Sequence, residues 1–143
     1  MEERIIGLDY GEARTGVAVS DLLGITAQGV ISIKHKSDKE LLLALDEYIN
    51  EYSPKLIVIG LPVNMNGTKG ERVIKTTKFI KKLIERYGID VETIDERLTT
   101  VSSQRTMTAL GVGKDKKKNI VDMMSAVFIL QTYLDREKNK KLF

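Results

Sequence analysis

The stretch KLIVIG, residues 55–60, constrains this chain most. After its lysine it is apolar throughout, without the alternation of a strand that shows one side to water, so it reads as a strand buried on both faces. The segments before it supply further strands. RIIGLD (4–9) and TGVAVSD (15–21) read as strands joined by a short glycine-containing turn, and GITAQGVISI (24–33) as a third. Short links suggest an antiparallel meander.

The period then changes. SDKELLLALDEYINEY (37–52) spaces Leu41, Leu45, Tyr48 and Tyr52 as a helix does, and Ser37 with Glu40 makes a capping box. LPVNMNGTKG (61–70) reads as a loop, with Thr68 and Glu71 capping a helix to about Tyr87. IDVETID (89–95) is another strand, ending in acids. TTVSSQRTMTAL (99–110) reads as a helix, GVGKDKKK (111–118) as a mobile basic loop, and Asn119 as the cap of a last helix through about Lys138, with REKNKKLF a solvated end. The order is βββαβαβα, and the last two strands, alternating with helices, should run parallel to their neighbours.

The 143 residues suit one domain spanning 1–143, and 42% hydrophobic residues support a real core. The chain has no cysteine, which excludes disulfides and thiolate zinc sites. A single histidine, His35, removes most zinc enzymes and the usual Ser-His or Cys-His hydrolases. Chemistry must then rest on carboxylates, lysine, arginine, tyrosine, serine or threonine. No apolar stretch is long enough to span a bilayer, and the N-terminus lacks a signal-peptide core, so a soluble cytoplasmic protein is expected.

Three carboxylates stand out. Asp9 ends the first strand. Asp95 and Glu96 end the strand 89–95, and alternation puts those two on opposite faces, so only one can join Asp9. In a parallel sheet, sites are built at the carboxyl ends of strands. Asp122 lies in NIVDMMSAVFILQTYLD, on one face with Ser125, Ala126 and Ile129; the two small residues would let that face approach the sheet closely. Each acid also has an ordinary reading: Asp9 as a turn residue, Asp122 as a complement to a helix dipole, Asp95 or Glu96 as a partner of Arg97 or a cap. Oxygen donors that converge would suit a hard cation such as Mg²⁺ or Mn²⁺.

GLDYGEARTGVAVSD, GLPVNMNGTKG, DERLTT and VDMMSAVFILQTYLD, in this order, resemble the four motifs of the YqgF/RuvX family, over nearly the whole chain. The resemblance implies an α/β, ribonuclease H-like fold: a five-stranded mixed sheet flanked by helices. It implies a carboxylate cluster binding Mg²⁺ or Mn²⁺, with Asp9, Glu96 and Asp122 as metal ligands and catalytic residues. It also implies a nuclease that resolves Holliday junctions or processes the 5′ end of pre-16S rRNA, with nucleic acid and ribosomal particles as partners, as a monomer or weak homodimer. On that reading the glycine-bounded turn after Asp9 keeps bulk away from an approaching phosphate backbone.

Net charge is +3, a slight bias toward polyanions. Arg72, Lys75, Lys78, Lys82 and Arg86 fall on one side of the helix 68–87, opposite Val73, Thr77, Ile80, Ile84 and Tyr87; an ordinary solvated face explains such a stripe. Lys114, Lys116, Lys117 and Lys118 precede Asp122, and cations beside a carboxylate site suit a phosphodiesterase. Arg14, Lys69, Arg72 and Arg97 are further candidates to bind the phosphate backbone. The expectation is a metal-dependent phosphodiesterase. The alternatives are a non-catalytic nucleic-acid-binding ribosome-assembly factor of the same fold and, less fitting for want of a second lobe, a phosphotransferase.

Overall fold

A computed structural model describes residues 3–62, 70–95 and 114–142, with side chains from 119 to 140 in the last stretch. The described elements are β1 (Ile5–Asp9), β2 (Arg14–Ser20), β3 (Ala27–Lys34), α1 (Asp38–Tyr52), β4 (Leu56–Leu61), α2 (Glu71–Tyr87), β5 (Asp90–Asp95) and α3 (Lys114–Leu142). They make one five-stranded mixed sheet in the order β3-β2-β1-β4-β5. The meander β1-β2-β3 is antiparallel, while β4 runs parallel to β1 and β5 parallel to β4. The β2–β3 register shifts between Val17 and Ala18, so β3 carries an extra residue there.

β4 fulfils its unbroken apolar run: Ile57, Val58 and Ile59 are completely buried. Ile57 and Ile59 join Ile6, Leu8, Val17 and Val19 under α1 and α2, which contribute Leu41, Leu45, Ile49, Phe79 and Leu83. Val58 joins Ile5, Ala18 and Ile94 against Ala126, Ile129 and Leu130 of α3 on the other face. Strand alternation thus decides which helix each side chain meets. Ser37 caps α1 as its spacing predicts, its Oγ accepting from the Glu40 N–H at 3.1 Å.

Four expectations are corrected. α3 begins at Lys114, so the lysines of KDKKK belong to its first turns rather than to a loop, and Asn119 is interior. Lysine is a good helix former, and no glycine or proline interrupts 114–142. The last helix runs past Lys138 to Leu142, while Arg136, Lys138, Asn139 and Lys140 are exposed, as a solvated end would be, and Arg136 reaches Glu92 of β5 at 3.1 Å. The N-cap of α2 is Gly70, without a side-chain cap, which makes Glu71 a first-turn acid suited to the helix dipole; Thr68 lies outside the described residues. Finally, α2 buries Val73, Thr76, Phe79 and Leu83, while Thr77 and Ile84 are exposed.

Candidate functional site

β1, β4 and β5 run the same way, so their carboxyl ends share one edge of the sheet. Asp9 is the last residue of β1 and half-buried. Counting from Ile5, its side chain stands on the α3 face. Asp95 ends β5 next to Ile94, which is buried on that same face, so Asp95 points to the α1–α2 side. Asp9 pairs with Gly16 of β2. On β4, Gly60 follows Ile59, the partner of Leu8. Glycine thus stands beside Asp9 on both neighbouring strands.

α3 rests on glycines. A Cβ added at Gly16 would lie 1.8 Å from the Asp122 carbonyl oxygen, one at Gly7 2.7 Å from the Leu130 Cβ, and one at Gly29 2.7 Å from the Met123 Cγ. Ser125 and Ala126, buried at this contact, give the helix the small face that the approach requires. The backbone of Asp122 therefore sits on the residue that pairs with Asp9. Gly16 serves this packing, and the space beside it is filled by the helix, not kept open for a phosphate backbone. Gly11 serves the turn itself, because a Cβ there would lie 2.4 Å from the Arg14 carbonyl oxygen.

Asp122 lies more than two turns inside α3, beyond the reach of a dipole role at its N-terminus. Its Oδ2 accepts from Arg14 Nε at 2.8 Å and from Ser32 Oγ at 3.2 Å. Arg14, Gly16 and Ser32 share this face, and Gly16 and Ser32 are register partners. The Asp122 carboxylate is thus held over β2 and β3 by a charged and a neutral donor.

The turn between β1 and β2 is anchored on three sides. Tyr10 stacks on Phe79 of α2 with ring centres 4.4 Å apart, and its hydroxyl donates to Asp38 Oδ1 at 2.5 Å. Burial, with the Asp38 carboxylate second, pushes the Tyr10 hydroxyl above its usual range. Lys75 pairs with Glu12, and that ammonium holds the exposed Glu12 carboxyl below its ordinary value. His35, at the end of β3, is 5% exposed. Its backbone N–H donates to Ala13 O at 3.0 Å, and its Nε2 shares a hydrogen bond of 2.9 Å with Thr15 Oγ1, which also accepts from Gly11 N–H. Among the described residues, the buried Nδ1 has no hydrogen-bond partner. Burial lowers the basicity of the ring.

Of the expected backbone-binding cations, Arg14 is engaged with Asp122. Arg72 is exposed beside a small cleft lined by Tyr10, Gly11, Glu12 and Lys75. The helix stripe is largely committed elsewhere: Lys75 pairs with Glu12, Lys82 with Asp38 at 3.0 Å, and Arg86 with Asp46 at 2.5 Å. Lys114, Lys116, Lys117 and Lys118 lie in the first turns of α3, with side chains outside the described set. Lys69, Glu96 and Arg97 lie outside the described residues. Among the described residues, no group of three histidine or acidic side chains is arranged to hold a metal ion.

Sequence reasoning passed over Ser32 and His35. Ser32 had a faint signal, a polar residue between Ile31 and Ile33 in a strand whose other face is apolar. His35 had the signal of being the chain's one histidine.

Residues 3–136 match the model of the RuvX family, described as Holliday junction resolvase. A protein of Ruminiclostridium cellulolyticum named "Putative pre-16S rRNA nuclease" is 56% identical over 139 residues, covering 96% of this chain and 98% of its own length. One of the same name from Acetivibrio thermocellus is 49% identical over 135 residues, covering 92% of this chain and 95% of its own. Among solved structures, T. thermophilus RuvC in complex with a Holliday junction substrate superposes with a TM-score of 0.58 at 12% identity, covering 94% of this chain and 96% of that one. That likeness establishes the fold as ribonuclease H-like. Among the described residues, no helix is long and apolar enough to cross a membrane.

Proposed function

This chain belongs to the RuvX family, and from that premise we propose that it is a divalent-metal-dependent nuclease acting on structured nucleic acid, with the 5′ end of pre-16S rRNA as its first substrate and branched DNA as its second. The observation that carries the reading is the common face of Asp9 and Asp122 at the carboxyl edge of the parallel strands. Carboxylate oxygens are the donors that hard cations take, and the residues that flank Asp9 on β2 and β4 are glycines.

Asp9 and Asp122 would hold Mg²⁺ or Mn²⁺, with Glu96 as the third ligand. Asp95 faces away from Asp9; Glu96 is taken from the family resemblance and lies outside the described residues. A metal bound there would activate water and offset charge on the scissile phosphate. Arg72 and the α3 lysines would bind the flanking backbone, a contact that carries no sequence information.

One observation favours a second reading. Asp122 is satisfied by Arg14 and Ser32, as a purely structural acid would be. On that reading the protein is a nucleic-acid-binding assembly factor that cuts nothing.

Asp9→Asn separates the two. The change keeps size and removes charge. Cleavage of a 5′-extended 16S rRNA fragment and of a four-way DNA junction is followed in Mn²⁺, with binding and thermal melting measured on the same protein. The nuclease reading expects cleavage to fall by at least about a hundredfold, since water activation and charge stabilisation are lost together, while folding and binding persist. A folded Asp9→Asn protein that cuts near the wild-type rate removes Asp9 from the proposed site, and a wild type that binds and never cuts puts the assembly factor in front.

A further inference from the structure

One oxygen of Asp122 already serves a cation. Arg14 Nε and Ser32 Oγ both donate to Oδ2, at 2.8 and 3.2 Å. Neither partner of the ion pair is sealed off: the Arg14 side chain is 30% exposed and that of Asp122 20%. Arg14 is also the residue at which the turn after Asp9 re-enters the sheet, so its base is fixed while its long side chain can turn. A divalent cation and a guanidinium cannot both take the same carboxylate oxygen at full strength. They compete for its lone pairs and repel each other in a partly desolvated place.

We propose that Arg14 is a built-in competitor for the metal at Asp122: metal uptake requires the guanidinium to let go of Oδ2, while Ser32, a neutral donor, keeps the carboxylate in place. This rests on the metal site proposed above and adds its regulation. Once released, Arg14 stands at the mouth of the site with its charge unspent, suited to a phosphate oxygen in a bidentate contact. The coupling is reciprocal, so whatever draws Arg14 away from Asp122 favours metal, and metal frees Arg14.

The test is calorimetric titration of Mn²⁺ alone, without nucleic acid, into wild type, Arg14→Gln, Arg14→Lys and Asp9→Asn, with thermal melting of each to verify folding. Arg14→Gln is expected to bind Mn²⁺ about tenfold tighter than wild type. Arg14→Lys keeps a positive charge on a flexible stem and is expected to return to within about threefold of wild type, a rescue that a purely structural role for Arg14 does not produce. In melting curves, added Mn²⁺ should raise the Tm of Arg14→Gln more than that of wild type at the same concentration. Unchanged or weaker Mn²⁺ binding in Arg14→Gln, with wild-type binding intact and lost in Asp9→Asn, overturns the competition and leaves the metal site standing. A wild type that takes up no Mn²⁺ overturns both.

Discussion

Gly16 shows how one absent side chain can place another residue's backbone. The Asp122 carbonyl occupies the space where a Cβ would be. Gly16→Ala must lift α3 from the sheet or bend it, because the obstacle is backbone and cannot rotate aside. Overpacking of this kind costs about 1–3 kcal/mol or more, and urea unfolding should show it as a lower midpoint at unchanged m-value. His35 sets a pH dependence. Its folded basicity is lowered by burial, against the opposing pull of the Asp38 and Glu40 carboxylates; Arg14, Lys34 and Lys36 line the same hollow. As pH falls below the unfolded histidine's value, about 6.5, the unfolded chain takes up a proton before the folded one does. Stability is therefore full above that value and declines as pH drops toward the folded value. The acids with lowered values, Glu12, Asp21 and Asp46 (the last at about 2), titrate in a lower window. Urea titrations at pH 7.5 and 5.5 should show the loss in wild type and a flatter dependence in His35→Gln. A loss of equal size in both proteins would assign it to other groups.

At the scale of elements, the strands and α1 were legible because one local signal decided each of them. The apolar run of β4 requires burial on two faces, and Ser37 sits one residue before a clear helical period. α2 was harder. It carries two apolar rows side by side, Phe79–Leu83 and Ile80–Ile84, displaced by one residue. Helical period alone does not choose between them. The choice is made by another element, where Tyr10 offers a ring for Phe79 to stack on. Phe79→Ala removes a wholly buried ring and should cost about 3–5 kcal/mol in urea unfolding; it should also free the Tyr10 hydroxyl from Asp38, seen as a shift in the Tyr10 ring resonances. Retained Tyr10 resonances would mean that the turn holds without the stack. α3 misled at its start because a run of lysines suits a solvated loop and a helix end equally well. Its good propensity, uninterrupted by glycine or proline, settled the matter.

For the whole molecule, Asp9 and Asp122 were legible as a pair because strand ends and a small-residue helix face are both sequence patterns. The ion pair to Arg14 was not, since it depends on how closely two layers stack. Charge is distributed to match. The acids of α1 and of the β1–β2 turn absorb much of the α2 stripe through Lys75, Lys82 and Arg86, while the head of α3 carries four lysines in the sequence KDKKK. Replacing Lys116, Lys117 and Lys118 with alanine should weaken nucleic-acid binding and lower the slope of log K against log salt by roughly one unit for each phosphate no longer neutralised. The helix itself should persist, because alanine favours it at least as well as lysine does, and circular dichroism checks this. An unchanged salt slope would locate the binding surface elsewhere.

The sheet also has an order of completion. α1 and α2 cover one face with segments that lie between the strands they join, so that layer grows as the chain lengthens. The opposite face, the one that bears Asp9, depends on α3, the last described element. A growing chain presents Asp9 before Asp122, because α3 follows the strands that it covers. Until α3 docks, Ile5, Ala18, Val58 and Ile94 lack the cover that it gives them. A nascent chain therefore carries the first acid of the candidate site before the second, and the docking of α3 that closes the hydrophobic layer also brings Asp122 over the sheet.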